Sequence, residues 1–225
     1  MFSHLLDRLE ARVGRHKGIR NLMTMIVIGT AIVFLADYIL PSIANGATLS
    51  GYLRFDRGRI MHGEIWRLLS FIFVPMEGHV LLLLVSLCFY WLVGSQLQNE
   101  WGTFRFTLFY AAGILGSVVS GFITGYATSY YLNMSLILAM AIIRPNMLLR
   151  VNGLFEVRIK WLALFSLVML ILPLLQSRGW QQPVALIAAL INVLLFFMDG
   201  LVKQFKEAYR RYMWKKNWQN GSWKR

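Results

Sequence analysis

The stretch Asn133-Met134-Ser135-Leu136 opens a short apolar run, and Ser135 is the residue in it whose type can do covalent chemistry. A serine hydroxyl attacks a carbonyl only when a nearby base takes its proton. The oxyanion then formed needs donors already aimed at it, each worth roughly 3–4 kcal/mol. The chain has four histidines, His4, His16, His62 and His79, and none after residue 79. Its one cysteine, Cys88, sits inside an apolar run, which leaves no disulfide framework and no Cys-x-x-Cys metal site. No His/Cys/Asp/Glu cluster has metal-binding spacing and no glycine-rich phosphate loop occurs, so neither metal nor cofactor is expected.

The elements that must position Ser135 are membrane elements. The 225 residues are 57% hydrophobic and 15% charged, against about 25% charged in a soluble domain. The apolar excess falls in blocks at about 21–40, 78–97, 104–124, 128–143, 161–176 and 183–202. Crossing the hydrocarbon takes about 20 helical residues. The fourth block is short, with a helix expected from Asn133 up to Arg144-Pro145. Such a helix cannot face lipid along its length, so neighbours must surround it. The expected architecture is an all-α integral membrane bundle of six transmembrane helices with a short, central fourth helix.

Charge sets the expected orientation. Lys and Arg divide 18 to 5 between alternate segments, which puts both termini in the cytoplasm. The net charge of +13 gathers at segment ends and termini instead of on one soluble domain, which excludes a nucleic-acid face. The first apolar block is longer than the 7–15 residues of a signal-peptide core and follows a charged leader, so no cleaved signal is expected. Three regions result: an amphipathic basic leader over 1–20, a membrane domain over 21–202, and a basic aromatic tail over 203–225. Leader and tail both read as interfacial anchors on the lipid bilayer. Gly113, Ser117, Gly121 and Gly125 recur every four residues, with Gly116 and Ser120 beside them, a spacing that lets helices approach closely in lipid.

"GEIWRLLSFIFVP" (63–75), with Glu64, Trp66 and Arg67, and "FYWLVGSQLQNEWGTFRFTLFYAAGILGS" (89–117) together resemble the first loop, second helix and glycine-bearing third helix of the rhomboid superfamily of intramembrane serine proteases. The short fourth helix carrying a serine fits the same plan, and "ALIAALINV" (185–193) stands where rhomboids carry their sixth-helix histidine. The resemblance covers roughly 60–200. It implies a nucleophilic serine in Gly-x-Ser-Gly, a histidine base on helix 6, and a histidine and asparagine on helix 2 that hold the oxyanion. Ser135 takes the nucleophile position here, but Asn133 and Leu136 replace the two glycines. Leu186 takes the base position, Ala189 and Val193 replace helix glycines, and Leu82 and Ser86 stand for the oxyanion pair. No register can bring a histidine to helix 6. The late lysines Lys160, Lys203 and Lys206 fall at expected cytoplasmic ends, away from Ser135. Ser135 is therefore expected to be inert, with no catalytic residue in the chain.

The remaining polar residues carry weaker expectations. Glu77 and His79 open helix 2, where a carboxylate complements the helix dipole. With Ser86, Asn133, Ser135 and Asn192 they are the candidates for a remnant of the active-site cavity. Asn192 alone reads as an interhelical hydrogen bond. The stretch 144–164 is unusually apolar for a loop and is expected to lie in the interface, with Trp161 at headgroup depth. The expected function is that of a non-catalytic rhomboid-like protein, of the derlin or inactive-rhomboid kind, which binds transmembrane clients or partner membrane proteins. A bacterial plasma membrane is favoured over the endoplasmic reticulum. The alternatives are a divergent active rhomboid protease and a small transporter or channel subunit, the latter lacking an inverted repeat and midplane charges.

Overall fold

The computed structural model describes Arg8 and residues 18–43, 48–76, 78–151, 155–176 and 181–219. Glu77 and nearly all of the 1–20 leader lie outside these. Helix α1 (Leu22–Ile43) is followed by three short helices, α2 (Leu49–Leu53), α3 (Arg57–Met61) and α4 (Arg67–Ser70), and a 3-10 turn over Phe71–Phe73. Then come α5 (Val80–Trp101), α6 (Thr103–Thr124) and α7 (Ser129–Ile143), strands β1 (Leu148–Val151) and β2 (Phe155–Arg158), and helices α8 (Ile159–Gln176) and α9 (Gln181–Gln219). The protein is mostly helical. Residues Leu22–Leu40, Val80–Trp101 and Thr103–Thr124 are long and apolar enough to cross a membrane, and Ser129–Ile143, Ile159–Leu172 and Pro183–Met198 are shorter apolar helices.

Three boundaries differ from those expected. The helix of Ser135 begins at Ser129, not Asn133, because Thr128 caps it: the Tyr130 amide donates to Thr128 Oγ1 at 3.3 Å. The 144–164 stretch is not a plain loop, and the chain is not all-α. β1 and β2 form an antiparallel hairpin pairing Leu148 with Arg158 and Val151 with Phe155. It turns Leu149 into the core and leaves Leu148 half exposed, the two-residue alternation of a half-buried strand. The tail is not a separate region: α9 runs unbroken through residue 203 to Gln219.

Helix α7 is central. It packs against α5, α6, α8, α9 and the 3-10 turn. Its residues Leu132, Leu136, Ile137, Ala139 and Met140 join Met23, Val93, Leu97, Phe106 and Phe109 in the main core cluster. Gly102, at φ 90°, turns α5 directly into α6, and Gly125, at φ 82°, ends α6 in the left-handed conformation. Gly125 is thus a terminator, not a packing residue. Gly113 is the close-approach point of the helix. A Cβ there would collide with Leu132 of α7 and lie 2.9 Å from Asn192 Nδ2 of α9. At Gly121 a Cβ would lie 2.7 Å from the Phe55 ring and 2.9 Å from the Ala127 Cβ. Gly116 is looser, its nearest atom being the Ala188 carbonyl oxygen at 3.8 Å. Ser120 is buried and Ser117 half-buried on the same helix.

The segment from Thr48 to Met76 folds around Arg67, which is 1% exposed. Its Nε donates to Glu64 Oε2 at 2.5 Å, and Nη1 donates to the carbonyls of Gly51 at 2.9 Å and Arg54 at 2.8 Å. The Ser70 hydroxyl adds a bond to the Leu53 carbonyl at 2.8 Å. These bonds tie α2, Glu64 and α4 into one unit, and Phe55, Ile60, Phe71 and Ile72 pack beneath it against Ala127. Trp66, the other half of the pair, is about half exposed. The Asp37 carboxylate fastens this unit to α1 by accepting from the Ser50 amide at 2.9 Å and from the Ser50 hydroxyl.

Two outcomes follow from this packing. Arg67→Leu removes the partner of the Glu64 carboxylate and of the Gly51 and Arg54 carbonyls and is expected to cost roughly 3 kcal/mol, seen as a lower thermal unfolding midpoint in detergent and faster proteolysis between residues 48 and 76. Gly113→Val is expected to destabilise by roughly 1–3 kcal/mol through overpacking. Gly116→Ala, with open contacts, is expected to stay within about 0.5 kcal/mol of the parent in the same melts.

Candidate functional site

Ser135 lies two turns into α7 and is 1% exposed. Its hydroxyl donates to the Leu132 carbonyl of its own helix at 2.6 Å. A serine turned back onto the preceding turn spends its proton on a backbone carbonyl of its own helix. The two described histidines are elsewhere. His62 is exposed, with Nδ1 2.7 Å from the Gly58 carbonyl, and His79 is exposed at the N-cap of α5. In the base-like position, Leu186 packs with Tyr131 and Leu170 in a cluster bordered by Met134 and Ala189.

The expected remnant-cavity residues do not converge on one space. Asn133 Oδ1 accepts a hydrogen bond from the Tyr110 hydroxyl at 3.3 Å, which joins α7 to α6. Asn192 Nδ2 donates to the Phe109 carbonyl at 3.3 Å, which joins α9 to α6 on the far side of Gly113. Its Oδ1 has no partner. The Ser86 hydroxyl bonds to the Leu83 carbonyl of its own helix at 3.0 Å. Asn133 alone of these lines the small cleft between α1, the segment 74–76, α5 and the start of α7, with Thr30, Tyr90 and Ser129 beside it. That cleft has about 20 Å³ of space, and about 10–15 Å³ is needed to hold one water. It admits roughly one water molecule and no peptide.

Asn133 and Asn192 therefore connect helices, whereas Ser135 and Ser86 bond within their own. Among the described residues no group of three His, Cys, Asp or Glu is placed to hold a metal ion. At the opposite end of the core, Trp101 stacks on Phe197 with ring centroids 4.5 Å apart and meets Phe196 at 5.8 Å and Phe109 at 6.0 Å. Beside it Arg144 reaches Glu100 at 3.1 Å. Neither this aromatic lock nor the ion pair was expected, although Trp101 and the Phe196-Phe197 pair fall at the matching ends of their apolar blocks. The hairpin left one sequence signal, the Asn152-Gly153 dipeptide, while its first strand, Leu148-Leu149-Arg150-Val151, shows no alternation.

A family model described as "Eukaryotic integral membrane protein (DUF1751)" matches residues 20–197, from the lead-in to α1 through the apolar part of α9. No curated protein matches the chain. The eukaryotic family overturns the bacterial plasma membrane expected from topology alone, because the positive-inside bias reads orientation and is blind to the kind of cell. The apolar helices and the extent of the match agree: this chain belongs to the eukaryotic integral membrane protein family DUF1751.

Proposed function

We propose that this protein is a rhomboid-like membrane scaffold without protease chemistry, which binds transmembrane helices of partner proteins. In this reading the three shorter apolar helices, α7 among them, bring the crossings to six. The observation that carries it is Ser135, whose hydroxyl is spent on the Leu132 carbonyl while Leu186 occupies the base position amid apolar side chains. A serine in that state has neither a base to activate it nor water to complete hydrolysis. The small volume of the Asn133 cleft speaks equally against a transport path.

The partner-binding half of the proposal rests on the outer faces of α5 and α8. Both pack on α7, but they share no extensive interface with one another. Their flanks are rows of exposed apolar side chains, Leu81, Leu82 and Leu84 on α5 and Leu164, Phe165 and Val168 on α8. A transmembrane helix approaching from the lipid meets this divided surface without having to open a packed seam. Association there draws on van der Waals packing.

Fluorophosphonate probes are expected to leave Ser135 unlabelled, and Ser135→Ala is expected to leave the processing of a model transmembrane substrate at background. Its stability is expected to stay within about 1 kcal/mol of the parent. Photocrosslinkers at Leu84 and Phe165 are expected to capture membrane proteins in native membranes, more than one at Leu115 on the lipid face of α6. Labelling of Ser135, or equal capture at all three positions, sinks the proposal.

A further inference from the structure

Helix α9 does two things in one unbroken stretch. Its first part, Pro183–Met198, is apolar and packs against α6, α7 and α8. Its last part, beyond Val202, has no packing partner among the described residues, and its Tyr209, Trp214 and Trp218 are 64%, 57% and 68% exposed. At a rise of about 1.5 Å per residue, Trp214 stands about 18 Å further along the axis than Val202, whereas the headgroup layer is about 5–8 Å thick. An average tilt of about 20° changes that little. This half of the helix therefore leaves its own membrane, on the side that the basic bias assigns to the cytosol. Its root is held by the stacking of Phe197 on Trp101, so its direction is fixed by the core.

The exposed half has a definite chemistry. Lys203, Lys206, Arg210, Arg211, Lys215 and Lys216 face a single carboxylate, Glu207. Like charge of this density repels a second copy of the same helix and calls for an acidic partner. Apolar anchors stand on two faces. At 100° per residue Val202, Tyr209 and Met213 fall on one arc, while Trp214 and Trp218 fall on the opposite one, their rings 5.8 Å apart. A flat acidic surface engages one face. A partner that closes on the helix from both sides, with apolar grooves rimmed by carboxylates, engages all of them. The helix is also already formed, nucleated by the span and supported by the contact of Arg211 with Glu207 at 4.0 Å, so docking avoids the cost of ordering a flexible peptide.

We propose that the exposed half of α9 is a docking helix for an acidic, calcium-loaded EF-hand sensor of the calmodulin type. Calcium opens the methionine-rich apolar grooves of such a sensor. A basic helix with aromatic anchors on both faces is the ligand that two such grooves fit. Docking would couple the membrane core, through the Trp101–Phe197 stack at the arm's root, to the calcium level of the cytosol.

The test uses the full chain in phosphatidylcholine nanodiscs with fluorescently labelled calmodulin as the probe. Saturable binding is expected in calcium and is expected to vanish on chelation. The double variant Trp214→Ala/Trp218→Ala and the variant Arg210→Glu/Arg211→Glu are each expected to weaken it at least about tenfold. Trp161→Ala, which removes an exposed tryptophan beside Lys160 at the hairpin, is expected to leave it unchanged. All these positions are solvent-exposed, and unaltered melting curves will confirm that each variant folds. Binding that ignores calcium, or that survives loss of both tryptophans, overturns the proposal. So does arm-dependent capture of phosphatidylserine vesicles with no calmodulin binding, which assigns the arm to a second membrane.

Discussion

A helix of 15 residues, the length of α7, rises only about 22 Å and cannot bridge about 30 Å of hydrocarbon. Every other feature of the core answers that shortfall. The ends of α7 would expose unpaired carbonyls and amides to lipid if they were not covered, so α5, α6, α8 and α9 close around it. Closure at that radius leaves no room for a Cβ at Gly113, where α6 meets α7 and α9 together. Thr128 pairs an amide at the upper end, and at the lower end the Arg144 amide closes onto the Met140 carbonyl. The protein is organised around a helix that cannot exist alone.

The same rule explains where its polar side chains go. In lipid a buried hydroxyl or amide has no water to fall back on, so it turns to whatever partner the helices offer. Ser135 and Ser86 fold onto the preceding turn, whereas Asn133 and Asn192 reach across to α6. Arg67 follows the rule at larger scale, since one guanidinium serves a carboxylate and two carbonyls and so organises the 48–76 segment.

Much of this was legible in the chain. Apolar block length marked out the helices and singled out the fourth. The absence of histidine beyond residue 79 settles, without coordinates, that no imidazole lies downstream to reach Ser135. Periodicity was less able to divide residues by partner. Gly121 and Gly125 share a spacing with Gly113, yet one meets the Phe55 ring, one ends the helix, and only Gly113 sits at the three-helix contact. The hairpin hid for a related reason: Leu148-Leu149 and Val157-Arg158-Ile159 read as apolar loop at the membrane surface until pairing assigns alternate faces. The continuity of α9 was concealed by Asp199-Gly200, a pair that reads as a stop but lies within a helix continuing to Gln219.

That continuity changes what the C-terminal half of α9 can do. A tail lying in the headgroup layer anchors a protein and transmits little, because lipid yields to any displacement. A rigid extension of a core helix behaves differently. Tilting its far end moves Phe197 against Trp101, and Trp101 is wedged between Phe109 and Phe196 at the foot of α6. Stacked rings in a close-packed core shift between discrete arrangements instead of deforming smoothly. Force on the arm is therefore felt at the α6–α9 contact, the packing that also holds Gly113, Leu132 and Asn192 together. The route from the far end of the arm to α7 is short and made of rigid groups.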